Sequence, residues 1–329
     1  MQPTPSRRQV LQGCACLGLG GLLGGRWAGY AQAADKPPAA PAMQAHEAAP
    51  GCWYVEGLSA LGSPANQNFI SNAGFIVTST SVVVVDALGS PALAERLLAE
   101  IARVTDKPVS HVIVTHYHAD HVYGLQVFAD RGIPILAHQA GREYLHADTA
   151  RLRLQASREE LAPWINDKTR LVPATQWVDG RQELTVGDTQ LVLQPVGPAH
   201  TPEDLAVYLP QRKVLYAGDL VFRSRIPFVG QADSRSWILS LDKLLAFDTR
   251  VIVPGHGPVS TQARQDMQLT RDYLVYLRKN MGAAAQEMTP FEEAYKATDW
   301  SAYEHLPLFG AANRMNAYNT YLLMEHETP

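Results

Sequence analysis

Apolar residues along the chain fall into three kinds of run, and each predicts a different element. Val82 to Asp86 is a nearly continuous β-branched stretch, suited to a strand covered on both faces, and Phe69 to Ser81 reads as the strand before it. Leu, Ala and Ile recur at helical spacing from Pro91 to Val104. His111 to Thr115 is another buried strand, followed by a helix from about Asp120 to Asp130 and a short strand at Ile133 to Ala137. Arg142 to Lys168 is charged and helical in composition, interrupted near Pro163.

Turn-punctuated strands come next, at Thr175 to Val178, Gln182 to Val186, Gln190 to Val196, Asp204 to Leu209 and Val214 to Ala217. Ser234 to Phe247 is an amphipathic helix with Asp233 or Ser234 as its cap. Val251 to Val253 is a short buried strand, Ser260 to Met281 a long helix, and further helix is expected after Pro290 and Phe309. Strands, helix, strands and helix thus occur twice over. An α+β arrangement of two mixed sheets with helices on their outer faces, a four-layer αββα sandwich, satisfies this order. There is no short-period repeat.

The N-terminus breaks the pattern. Ser6-Arg7-Arg8-Gln9-Val10-Leu11 precedes a glycine-rich apolar run from Cys14 to about Leu23, then Ala31-Gln32-Ala33. A charged start, a short apolar middle and a small-x-small site predict a signal peptide over 1–33. The paired arginines resemble a twin-arginine export signal; a standard secretory signal is the alternative. Residues 34–50 are rich in Ala and Pro and are expected to be a disordered linker, with one domain over 51–329. The expected location is periplasmic or secreted, with no membrane span in the mature chain.

Composition narrows the partners. With 329 residues, 46% hydrophobic and 18% charged, the chain suits an ordinary globular protein. A net charge of −4 and a pI near 6.3 exclude a nucleic-acid surface, which demands clustered Lys and Arg. Cys14 and Cys16 fall in the leader, so Cys52 stands alone and has no intramolecular disulfide partner.

The chemistry concentrates in Thr115-His116-Tyr117-His118-Ala119-Asp120-His121. Neutral imidazoles and a carboxylate are zinc ligands. In an extended segment His116 and His118 share a face, because side chains alternate with period two, and the turn into a helix brings Asp120 and His121 around. His200, Asp219 and His256 each follow a predicted strand, in Gly197-Pro198-Ala199-His200, Gly218-Asp219 and Gly255-His256-Gly257. Four strand ends, each presenting ligand types, predict one site on one rim of the sandwich.

In this order, His-x-His-x-Asp-His, a later His, Gly-Asp and Gly-His-Gly resemble the motifs of the metallo-β-lactamase superfamily. The resemblance implies His116, His118 and His200 on one metal ion, Asp120, His121 and His256 on a second, and Asp219 bridging them. Gly218-Asp219-Leu220-Val221-Phe222 looks more like glyoxalase II than the β-lactamases, which commonly carry a cysteine or serine nearby. The substrate-binding lysine of several β-lactamases has no counterpart; Arg223 or Arg225 is a substitute, or both belong to a solvated loop. Asn72 to Val77 and Asn313 to Tyr318 are similar to periplasmic zinc metallohydrolases of the quinoprotein-relay and SoxH-like type.

Two divalent ions about 3.5–4 Å apart share a water and lower its pKa. The expected function is therefore hydrolysis of a small ester, thioester or lactam by metal-bound hydroxide. Two Zn2+ per chain are expected, with Fe or Mn as other occupants, and Asp120 is the catalytic residue that orients the nucleophile. Asp86, at its strand end, is a candidate acceptor for a ligand's second nitrogen. Tyr117 and Tyr123 flank the cluster as substrate contacts or packing residues. Trp164 and Trp177 bracket the charged insertion, a candidate lid. His111, His138, His146, His305 and His326 read as surface or structural. The alternatives are a mononuclear iron enzyme resembling the persulfide dioxygenases, a β-lactamase proper, and a metal-binding relay protein.

Overall fold

The computed structural model describes residues 40–230 and 232–327. Seven strands make the first sheet in sequence order: β1 (Ala45–Ala49), β2 (Cys52–Val55), β3 (Ala73–Val77), β4 (Val82–Val85), β5 (Val109–Ile113), β6 (Ile135–His138) and β7 (Gln176–Val178). Pairing is antiparallel from β1 to β4 and parallel from β4 to β7. The parallel half is fed by crossover helices: α1 (Pro91–Val104), α2 (Ala119–Val122), α3 (Leu125–Ala129), α4 (Gly141–His146) and α5 (Asp148–Glu160).

The second sheet runs β12-β11-β10-β9-β8, from β8 (Gln182–Val186), β9 (Thr189–Pro195), β10 (Leu205–Leu209), β11 (Val214–Phe222) and β12 (Val251–His256). Only β11 and β12 are parallel, joined through α6 (Ser234–Leu244). Three further helices close the chain: α7 (Ala263–Gln286), α8 (Phe291–Ala297) and α9 (Phe309–His326).

Strand β4 shows why four layers result. Val82 and Val84 pack outward beneath α1 and α3, whereas Val83 and Val85 pack inward against Leu191, Leu193 and Val207 of the other sheet. All four are essentially inaccessible, and burying each contributes roughly 1.5–3 kcal/mol. A third apolar cluster joins Leu215, Ala217 and Ile252 to Trp237 and Leu241 of α6 and Leu274 of α7. One cluster between sheets and one outside each sheet define the αββα sandwich that the hydrophobic pattern predicts.

Three expectations are corrected. The disordered linker does not run from 34 to 50: β1 occupies Ala45–Ala49 and pairs with β2, Ala45 opposite Val55. Its small side chains hid a strand whose order comes from ladder hydrogen bonds and from Ala48 and Ala49 tucked against the inter-sheet core. The expected signal segment, 1–33, and the start of the expected linker lie outside the described residues. The single helix after Asp120 is two short ones, split at Gly124, where a Cβ would meet the Ala87 carbonyl at 2.0 Å. Strand β11 continues past Ala217 to Phe222, so Asp219 lies within it.

Candidate metal centre

The first cluster hangs from the end of β5. Thr115 donates its N–H to Asp86 Oδ1 and its hydroxyl to Asp86 Oδ2, both at 2.8 Å, fixing where the chain leaves the sheet. His116 Nδ1 meets the Thr115 hydroxyl at 3.0 Å, which turns Nε2 inward. His118 is extended (φ −75°, ψ 150°), and its ring stands edge-on to that of His116 with centroids 4.8 Å apart. Both therefore reach one side of the segment. One turn of α2 then swings Asp120 and His121 to the neighbouring position. His121 Nδ1 is held by Asp86 Oδ2 at 2.9 Å, and the Ser71 hydroxyl donates to the Asp120 carbonyl at 2.6 Å.

The distant residues arrive from the second sheet. His200 sits in a turn closed by Asp204, whose carboxylate accepts the Thr201 N–H and hydroxyl at 2.7 and 2.9 Å. Asp219 follows Gly218, whose φ of +54° accompanies a register shift between β11 and β12. Such bulges re-aim the next side chain. His256 ends β12, with Nδ1 against the Ile70 carbonyl at 2.7 Å. Gly255 must be glycine, because a Cβ there would sit 2.0 Å from Asp219 Oδ1.

All seven residues are brought together, in two groups: His116, His118, His200 and Asp219, then Asp120, His121 and His256. Within each group the nearest donor atoms lie within 4.8 Å of one another. The Asp219 carboxylate reaches both. Its Oδ2 is 3.4 Å from His200 Nε2 and 3.3 Å from His256 Nε2, and its Oδ1 is 3.1 Å from His121 Nε2. Asp120 Oδ2 stands 3.2 Å from His256 Nε2 and 3.6 Å from His121 Nε2.

His118 Nδ1 and His200 Nε2 stand within hydrogen-bond distance at 2.9 Å, but other converging atoms do not pair. His116 Nε2, His121 Nε2 and Asp219 Oδ1 are buried and find no hydrogen-bond partner among the described residues. Buried polar atoms are rarely left so, and imidazole nitrogens and carboxylate oxygens facing common points fit divalent cations.

The electrostatics agree. Burial, then the neighbouring imidazoles, hold His116 well below its ordinary pKa and push His200 down to about 3, so both keep a neutral lone pair. Burial also lowers His118, against the pull of Asp219. For His121 and His256 burial acts downward too, but the carboxylates of Asp219 and Asp120 outweigh it and raise both. Burial would raise Asp120 and Asp219, yet His121 and His256 hold both below the usual carboxylate range. A field that draws protons onto buried imidazoles is one that binds a cation in their place.

Other predicted residues resolve individually. Arg223 is tied down, with Nε 3.2 Å from Asp266 Oδ1. Arg225 is buried, its guanidinium 5.5 Å over the Phe222 ring and Nη1 3.3 Å from His256 Nδ1. Burial lowers its pKa, against Asp219 and Asp120. Tyr117 and Tyr123 are each 1% exposed and pack inside, Tyr117 against Tyr144 and Trp177 and Tyr123 toward Ser157, so neither reaches a substrate. Trp164 bonds the Pro64 carbonyl at 2.8 Å, linking the insertion to the loop before β3.

Sequence reasoning missed Glu203, buried, whose Oε1 accepts the N–H of Tyr117 at 3.1 Å, between His116 and His118. It noted Asn72 only as part of a family-like segment and missed its role, in which the amide bonds the Pro254 and Gly257 carbonyls at 2.8 Å and brackets His256. An acidic pair entering an apolar strand just after His200 was the available signal for Glu203.

The fold and this arrangement define a metallo-beta-lactamase-type centre, and the chain belongs to the metallo-beta-lactamase superfamily, whose family model matches residues 67–256. A linear primary-alkylsulfatase from Pseudomonas is 26% identical over 235 residues, 60% of this chain but 44% of that protein. A type 2 metallo-beta-lactamase from Bacillus is 29% identical over 194 residues, 57% of this chain and 67% of that one. Among solved structures, a sec-alkylsulfatase from Pseudomonas superposes with a TM-score of 0.65 at 19% identity, covering 85% of this chain and 50% of its own. A metallo-beta-lactamase from Pontibacter korlensis gives 0.55 at 21% identity, covering 71% and 99%. The chain thus spans about half of the alkylsulfatases it matches, and the structural likenesses speak for the fold. No helix among the described residues is long and apolar enough to cross a membrane.

Proposed function

We propose that this chain is an exported dinuclear zinc hydrolase acting on a small ester, thioester or lactam. The observation that carries the reading is the Asp219 carboxylate, within 3.4 Å of histidines from both groups. His116, His118 and His200 would hold one ion, and Asp120, His121 and His256 the other. The all-nitrogen-and-oxygen donor set favours zinc, with iron and manganese as competitors. The second group of three supports two ions over the single iron of a dioxygenase. Export rests on the leader-like segment, and placement with the periplasmic SoxH-like metallohydrolases rests on that segment together with Asn72 to Val77 and Asn313 to Tyr318.

Bound there, the two ions would supply a water of lowered pKa and an electrophile for the scissile carbonyl. The chain's own part falls first to Asp120. His121 and His256 keep its carboxylate ionised, and Oδ2 faces them, so Oδ1 is left to take the proton of the attacking water and return it to the leaving group. Arg225 has no carboxylate within ion-pair reach among the described residues, so its charge serves an anionic substituent of the substrate. Sulfate esters join the substrate range because an alkylsulfatase is among the relatives.

The test is turnover of a panel of thioesters, lactones, sulfate esters and β-lactams by zinc-loaded protein. At least one is hydrolysed, and Asp120→Asn lowers that rate by about 10²–10⁴-fold. One iron per chain with oxygen uptake, or a panel left intact, would end the hydrolase reading.

A further inference from the structure

We propose that Phe228 selects the substrate at this centre, offering a ring to an apolar substituent on the His200 side, and that helix α9 positions it through Asn316. The proposal rests on the hydrolase reading only in taking the metal centre as the place where a substrate binds. Phe228 is 39% exposed, and its ring lies 6.5 Å from that of His200, a buried member of the first group. Phe222 and Trp237 crowd the same imidazole at 5.8 and 5.2 Å, but both are buried and offer a substrate no surface. An exposed ring by itself is ordinary. What holds this one is not.

Residues 223–229 form neither helix nor strand, and the C-terminal part of the chain fixes them instead. Ile226 donates its N–H to the Pro307 carbonyl at 3.1 Å. Asn316, fully buried on α9, accepts the Val229 N–H at 2.9 Å and donates to the Pro227 carbonyl at 2.7 Å. One amide thus grips the backbone on both sides of residue 228. Its other N–H goes to the Tyr273 hydroxyl at 3.0 Å, so all of its donors are used. One turn on, Asn319 donates to the Gly230 carbonyl at 2.6 Å. Gly230, at φ +55°, backs the ring: a Cβ there would come 3.0 Å from Phe228 Cε1.

A residue needed only to pack α9 would be apolar, because burying an amide costs free energy unless each of its groups is satisfied. Here the polar groups of one helix face go to a loop, and they bracket its one exposed ring. Backbone held in this way carries a side chain to a fixed place beside a site. Arg225, in the same loop, meets His256 instead. The loop therefore sets an apolar group beside one half of the centre and a cation beside the other.

Calorimetric titration of zinc-loaded protein with ethanethiol and 2-phenylethanethiol tests it, since the two share a metal-seeking sulfur and differ by a ring. The phenyl compound is expected to bind at least about tenfold more tightly. Phe228→Ala removes most of that preference and leaves ethanethiol binding unchanged, whereas Phe228→Tyr retains it. Asn316→Ala and the milder Asn319→Ala also reduce the preference with Phe228 in place, which lost stability alone would not do. Should Asn316→Ala fail to fold, Asn319→Ala decides the part of α9. Equal affinities in the wild type, or a preference that survives Phe228→Ala, would overturn the proposal. A preference intact in every folded Asn variant would overturn the role of α9. The hydrolase reading fails separately: protein that prefers the ring yet turns over nothing in the substrate panel loses that reading alone.

Discussion

Asp86 adopts a left-handed backbone conformation, φ +64°, that few residues other than glycine, Asn and Asp accept. The geometry lets one carboxylate hold both Thr115 and His121. Asp86→Ala is expected to weaken metal affinity about 10–100-fold, read by chelator competition, while circular dichroism stays unchanged. An unchanged affinity would reduce Asp86 to a turn residue. Glu203 is expected to act likewise on the first group: Glu203→Ala lowers metal retention, and Glu203→Gln, which keeps an acceptor for Tyr117 N–H, restores it. At this scale the sequence was informative where ligand types cluster or end an apolar run, as with His116 to His121 and Asp86. It marked Glu203 only as part of an acidic pair and not by role, because that side chain's partner is a backbone N–H 86 residues away. It left Arg223 and Arg225 undivided, since which one meets Asp266 is decided by α7.

Strands β11 and β12 run parallel with a broken register, and that break carries the bridging residue. Gly255→Ala forces a Cβ into the Asp219 carboxylate and is expected to remove bound metal; metal analysis of this one variant checks it. Helix α6 offers a test of the fold alone. Its cap, Asp233, accepts the N–H groups of Arg235 and Ser236, both at 3.0 Å, and the Ser236 hydroxyl at 2.7 Å. Partial burial acts upward on its pKa, but these bonds prevail and lower it from 3.8. A depressed carboxyl stabilises above its unfolded pKa and loses that contribution as pH falls through the folded value. Asp233→Ala should thus cost about 1 kcal/mol at neutral pH, with the difference from wild type shrinking below about pH 4 in denaturant titrations. The cap was legible in sequence because Asp and Ser there precede a clean amphipathic run. Strand β1 was not, since Ala-His-Glu-Ala-Ala lacks alternation and owes its order to its partner strand.

At the scale of the molecule, the layer order was legible because runs such as Val82 to Val85 need cover on both faces. Which strand ends converge is a matter of topology. The tails of β5 and β12 come to one rim, where His116, His118, Asp120 and His121 meet His256, so ligands far apart in the chain join there. A centre that draws on both sheets ties them together, and metal bound only by the folded chain adds to its stability. Chelation is expected to lower the melting temperature by several degrees, restored by zinc. An apoprotein that melts with the loaded form would show that the sandwich packs without help from the site.

The most direct measurement is elemental analysis of protein purified without chelator, normalised to chain concentration. Two metal ions per chain, mostly zinc, falling to about one when His256 is replaced by Ala, is the predicted result. A chain that carries no metal, or a single ion unaffected by that replacement, contradicts the account.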